Sequence, residues 1–263
     1  MALPEDHRFP ITKYALLRKR ITDSNLFKLQ DLYISRAATA AEITRVHDPD
    51  YLRRVQNGEL TAREIRRVGL PWSPGLVERA RRSAGATVEA CFAALSEGIA
   101  VHLGGGTHHA FSQQGQGYCV FNDGAIAARS LQAETHIRRV LILDCDVHQG
   151  NGTAAILQND PSIFTFSIHG KKNFPFHKEK SDLDIALDDK ILGVVGVANA
   201  RREMPALKEM VGTLGKARDT FILVVSATFD VYRGKIHRVD VLALFFEVVG
   251  TQNPVQATVK RGA

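Results

Sequence analysis

The chain has 263 residues, 44% hydrophobic and 24% charged, a mix that argues against a disordered chain, a collagen-like repeat and a coiled coil. At roughly 100 to 200 residues per domain the length allows one or two, and no repeat or low-complexity linker divides it, so a single domain over residues 1–263 is expected. The net charge of +6 resides in residues 1–82, with 16 basic and 10 acidic side chains; these arginines lack interleaved aromatics, which reads as solvated helix faces and argues against direct nucleic-acid binding.

The opening MALPEDHRFP carries acids and a proline where a secretory leader is cationic and then apolar. No run approaches the roughly 20 apolar residues that cross a bilayer, so a cytoplasmic protein without a membrane partner is expected. Residues 11–30 place Ile11, Ala15, Leu16 and Ile21 at helical spacing. Ser73 and Pro74 open a long helix that closes at Gly98. A short strand, Ile99 to Leu103, is expected next; it runs into Gly104, Gly105 and Gly106, which turn the backbone ahead of Thr107, His108 and His109. A helix from Asn122 or Asp123 leads to Arg139 to Leu143, an unbroken apolar run of the kind buried on both faces of a sheet. Gly150 and Gly152 turn the chain into a helix near Thr153 to Leu157, Ser162 to Ile168 is a second β-rich run, and Phe221 to Val225 a third. Cys91, Cys119 and Cys145, odd in number and far apart, read as reduced packing residues. Together these elements predict an α/β fold with a parallel sheet covered by helices and functional groups beyond the carboxyl ends of its strands.

The strongest chemical signal follows the run at 139–143. Asp144, Asp146 and His148 share one face of an extended chain by period-two alternation. Two nearby carboxylates at the end of a buried strand are costly without a cation, and Asp with His suits zinc, whose catalytic form takes three protein ligands. Asp230, after the run at 221–225, is placed to supply the third; on its own it reads equally as a turn residue. His108 and His109 can act as a base and its acid or electrostatic partner toward a metal-bound water, or stand as a surface pair.

HLGGGTHHAF, GYCVFND, LDCDVHQGNGTAA and FTFSIHGKKNFPF, in this order and at these separations, resemble the histone deacetylase family, in particular its bacterial class IV-like branch with acetoin utilisation proteins and polyamine deacetylases. The likeness includes Lys13-Tyr14 and His47-Asp48-Pro49-Asp50-Tyr51 and covers roughly the first 187 residues. It implies a three-layer arginase/deacetylase fold and a zinc-dependent amidohydrolase that removes acetyl groups from acetyl-lysine proteins or small acetylated amines. Asp146, His148 and Asp230 would hold one zinc; His108 and His109 would be the catalytic pair, with Asp144 orienting His108 and Asn151 facing His109. Gly117, Tyr118 and Phe174 would line a narrow substrate tunnel, although the two rings read equally as core aromatics by spacing alone. Asn151 stands where many members carry aspartate, which implies a less basic His109. The resemblance also carries a structural potassium touching Asp144, Asp146, His148 and Ser167. Gly150 occupies the position where a two-metal arginase site needs a further carboxylate, so one metal is expected.

After Asp188 the pattern changes. The family's glycine before the third ligand is replaced by Thr228-Phe229, and no Gly-Gly-Tyr follows Asp230 to supply the oxyanion donor; Tyr232 is the only tyrosine there. Residues 189–263 are therefore read as a divergent part, with a sheet incomplete at its C-terminal end and the stretch LALFFEVV as a replacement strand or helix. The alternatives to an active deacetylase are a catalytically impaired relative that binds metal and acylated amines, and a truncated product; an oligomer is compatible with all three.

Overall fold

The computed structural model describes residues 1, 3–24 and 28–188, and the strand backbones at 220–225, 230–232, 235–238 and 246–248. Five of its described α-helices begin where side chains satisfy the free N–H groups of the first turn. Thr39 with Glu42, and Thr61 with Glu64, form reciprocal capping boxes that start α2 (Ala40–Ile43) and α4 (Ala62–Val68). Asp48 caps α3 (Pro49–Asn57), and Ser73, with Pro74 at the first helical position, starts the long α5 (Pro74–Glu97). The helical spacing near the N-terminus forms α1 (Lys13–Asp23). Asn122 caps α6 (Asp123–Glu134), and α7 (Asn151–Leu157) follows Gly150.

The central strand β1 (Arg139–Asp144) is flanked by β2 (Ile163–Gly170) on one side and β4 (Thr220–Val225) on the other, with β3 (Leu183–Leu187) beyond β2; all these pairings are parallel. The edge strand β7 (Phe246–Val248) pairs antiparallel with β4, so part of LALFFEVV is a strand; β5 (Asp230–Tyr232) and β6 (Lys235–Arg238) form a separate antiparallel pair. The order β3-β2-β1-β4-β7 reverses direction between β1 and β4. In open α/β sheets that reversal opens a crevice at the carboxyl ends of the strands, where ligands bind.

Period-two alternation divides the core. Val140, Ile142 and Ile163 join the large cluster formed with α5 and α6, whose members include Val88, Cys91, Ile126 and Leu131. Leu141, Leu143, Cys145, Phe166 and Ile168 form a second cluster on the opposite face. All three cysteines are buried free thiols. Several N-terminal arginines pair with acids on their own or adjoining helices: Arg53 and Arg54 with Asp50, Arg54 with Glu64, and Arg82 with Glu78. Among the described residues no helix is long and apolar enough to cross a membrane.

The expected strand at 99–103 does not form. A strand needs a ladder partner, and this segment has none among the described residues; Ile99 and Val101 are left 40% and 41% exposed.

Candidate active site

Asp144 ends β1, opposite Ser167 of β2 and Val225 of β4, so it stands at the mouth of the crevice between the strands. The chain then coils tightly. Asp144 Oδ1 accepts from the N–H of Asp146 at 3.0 Å, and Asp146 Oδ1 accepts from the N–H of His148 at 2.8 Å. His148 Nδ1 lies 3.0 Å from the same Asp146 oxygen. Asp144 and Asp146 are buried, whereas the His148 side chain is 44% exposed. Gly150 is required here, because a Cβ would sit 2.1 Å from Asp144 Oδ2, the oxygen turned toward the histidine pair.

Both histidines are buried and their ring centroids lie 4.1 Å apart. Each Nδ1 has its own oxygen acceptor: His108 on Asp144 Oδ2 at 2.5 Å, and His109 on Asn151 Oδ1 at 2.7 Å. Burial pushes His108 down, but the charge and hydrogen bond of Asp144, aided by Asp146 and Asp123, outweigh it and hold the ring up at about 9. Burial and the neighbouring His108 charge push His109 down to about 2. The two shifts run in opposite directions, favouring the proton on His108 and the neutral ring at His109. The burial cost at Asp146 is outweighed by the hydrogen bond from His148 and the charge of His108, which keep its carboxyl below the ordinary value.

The turn that presents this pair is held by a residue that reads in the sequence only as a helix start. The buried Asp123 carboxylate accepts from the backbone of Gly106, Thr107 and Gly124 and from the hydroxyls of Thr107 and Thr87. Gln116 likewise carries no signal of its own in the sequence; its Oε1 accepts from Asn151 Nδ2 at 2.8 Å.

Of the expected tunnel residues, Phe174 meets His109 edge to face, with centroids 4.9 Å apart, and also faces His148. Gly117 lies between them: at φ +55°, a Cβ there would stand 2.9 Å from both His109 Cδ2 and Phe174 Cε1. Tyr118 takes other neighbours, packing against Phe9 at 4.9 Å and along Gly69 and His7.

The donor chemistry suits zinc. Asp146 Oδ1 and His148 Nδ1, 3.0 Å apart, match the roughly 3.3 Å that separates two ligand atoms each about 2.0–2.1 Å from a tetrahedral ion. Among the described residues no third His, Cys, Asp or Glu completes a metal-holding set. The side chain of Asp230 lies outside the described residues; its backbone opens β5, five positions beyond the end of β4. Of the expected potassium contacts, Ser167 faces Asp144 across the β1–β2 ladder, and its hydroxyl bonds to His169 Nδ1 at 3.0 Å.

The family description "Histone deacetylase domain" matches residues 7–241. The chain belongs to the histone deacetylase family. It is 44% identical over 187 residues to an uncharacterized protein of Picosynechococcus sp., covering 71% of this chain and 62% of that one. To the acetoin utilization protein AcuC of Bacillus subtilis it is 33% identical over 184 residues, covering 65% of this chain and 47% of the relative. The chain thus spans about half to three fifths of the length of these relatives. The crystal structure of the HDA15 HD domain superposes with a TM-score of 0.68 at 21% identity, covering 89% of this chain and 70% of that one. The parallel sheet with its helices is therefore the deacetylase fold, as the sequence motifs imply.

Proposed function

We propose that this chain is a zinc-dependent amidohydrolase that removes acetyl groups from acetyl-lysine or related acetylated amines. One observation carries the reading: two adjacent, buried histidines, each with its own oxygen acceptor on Nδ1, stand beside a carboxylate and an imidazole whose donor atoms are spaced as neighbouring ligands of one ion. Asp146, His148 and Asp230 would hold the zinc, and a structural potassium near Asp144 and Ser167 belongs to the same proposal. Zinc held there would supply Lewis acidity toward the acetamide carbonyl and toward a water molecule.

The remaining work falls to the chain's own side chains. His109 donates its Nδ1 proton to Asn151, so its neutral ring keeps a lone pair on Nε2 and serves as the base that takes a proton from the attacking water. The same nitrogen then returns that proton to the departing amine. His108, kept cationic by Asp144, supplies positive charge where the acetamide oxygen becomes negative. Phe174 and Gly117 form the wall beside His109, shielding an extended methylene stem from water.

A second reading is favoured by one feature of the sequence: Tyr232 is the only tyrosine after Asp230, and it does not stand in a Gly-Gly-Tyr context. On that reading the chain binds metal and acylated amines with little turnover, since loss of one oxyanion donor costs about 100- to 1,000-fold in rate. Acetate release from acetyl-lysine peptides and from acetylpolyamines, with His109→Ala as control, separates the two. The hydrolase reading expects release that His109→Ala abolishes. Bound zinc without release supports the second reading.

A further inference from the structure

We propose that Gln116 is a positioning residue that holds the Asn151 amide in the orientation His109 needs, and so sets which nitrogen of His109 carries the proton. The inference rests on His109 being the base of the reaction. Its geometric part stands on three side chains in series: His109 Nδ1 to Asn151 Oδ1 at 2.7 Å, then Asn151 Nδ2 to Gln116 Oε1 at 2.8 Å.

The need for a third member follows from the chemistry of the second. A carboxylate at position 151 would accept from His109 whichever way it turned. A carboxamide has one accepting and one donating end, and a half-turn about its last bond exchanges them. With Nδ2 toward the ring, His109 Nδ1 must accept, the single proton of the neutral imidazole moves to Nε2, and the base is lost there. Asn151 therefore needs an orienting partner that aspartate would not.

Gln116 is placed to be that partner. Its backbone is fixed in both directions, donating to Cys119 O at 3.0 Å and accepting from the Cys119 N–H at 2.9 Å. The glycines on either side let neighbouring groups close in: a Cβ on Gly115 would meet Cys119 O and Val68 Cγ2 at 2.7 Å, and one on Gly117 would meet His109 and Phe174 at 2.9 Å. Asn151 is anchored at the start of α7, donating from its backbone to Gln149 O at 2.8 Å, and is buried. If Asn151 alone turned over, its oxygen would face the Gln116 oxygen. The wrong orientation thus requires two amides to turn together, and a buried mismatch of acceptors is costly.

The test uses the full chain labelled with 15N-histidine, read by the ring-nitrogen shifts of His109, alongside kcat/KM for acetate release. In the wild-type chain His109 should show a protonated Nδ1 and an unprotonated Nε2. Gln116→Leu should give a mixture of the two tautomers and lower kcat/KM by about tenfold, the scale of one hydrogen bond. Gln116→Glu, which keeps the acceptor, should retain the wild-type ring signals and serves as the check on folding. In an Asn151→Asp background the same Gln116→Leu change should alter kcat/KM by less than about twofold, because the carboxylate needs no orienting. Wild-type ring signals in Gln116→Leu, or an equal loss of activity in both backgrounds, would overturn the proposal. If no variant releases acetate, the hydrolase reading fails, and the ring signals alone decide the role of Gln116.

Discussion

Thr107, the residue before the histidine pair, is held twice by one oxygen of Asp123: its backbone N–H and its hydroxyl both reach Oδ1 at 2.8 Å. The start of α6 is thereby fastened to the turn that carries His108 and His109. Further donors come from Gly106 and Thr87 on the other oxygen and from Gly124. Asp123→Ala would remove the shared acceptor of these buried and half-buried donors, leaving the Gly106, Thr107 and Gly124 N–H groups without it, and should cost about 3 kcal/mol in urea unfolding. Asp123→Asn, which keeps one accepting oxygen, should cost less. A loss below about 1 kcal/mol for the alanine variant would mean that water replaces the carboxylate.

The buried ring of His47 gives the fold a pH dependence of known sign. Asn122 donates its backbone N–H to His47 Nε2 at 2.9 Å, and His47 Nδ1 pairs with Ser112 O at 3.2 Å. Burial lowers its pKa to about 4, despite hydrogen bonds to Ser112 and Phe111 that favour the charged form. The folded state therefore prefers the neutral ring. Its contribution is fully present above about pH 6.5, the unfolded value, and is lost as pH falls toward 4, at most about 3 kcal/mol. Urea unfolding from pH 7 to 4 should be steeper in pH for the wild-type chain than for His47→Gln. Equal slopes would show that His47 is not held neutral.

Gly117 sits against both His109 and Phe174 in the proposed wall. Gly117→Ala adds a methyl 2.9 Å from His109 and Phe174 at a φ that disfavours a side chain. A stability loss of about 1–2 kcal/mol is expected. Because the methyl displaces the base itself, kcat/KM for acetate release should fall much further, about 100-fold. An active Gly117→Ala chain would remove His109 and Phe174 as the wall of the acyl site.

How much of this was legible in the sequence depended on whether one physical signal decided the matter. The continuous run from Val140 to Leu143 could be read as a strand buried on both faces because each residue loses water regardless of its pointing direction, and β1 is that strand. Ser73-Pro74 and Gly98 bound α5 by local capping chemistry alone. The segment at 99–103 was misread because β propensity says nothing about a partner. β3 is hidden for the opposite reason: Leu183–Leu187, an edge strand among the described residues, carries one acid, Asp184, and exposed positions, and is defined by its ladder to β2. In the site, Asp144, Asp146 and His148 were visible as a local cluster. Asp123 was hidden, because Asn122-Asp123 looks like one cap; Asn122 caps Ala125 while Asp123 turns to a loop 16 residues earlier. The link from Asn151 to Gln116, 35 residues apart, has no local signature at all.

The proposed hydrolysis needs Asp146, His148 and Asp230 to share one zinc, and elemental analysis of the purified full chain tests this most directly. The wild-type chain should carry about one zinc, and Asp146→Ala and Asp230→Ala should each lose it while keeping a cooperative unfolding transition. Full zinc retained in a folded Asp230→Ala chain would contradict the assignment, placing the third ligand elsewhere or the metal outside this crevice.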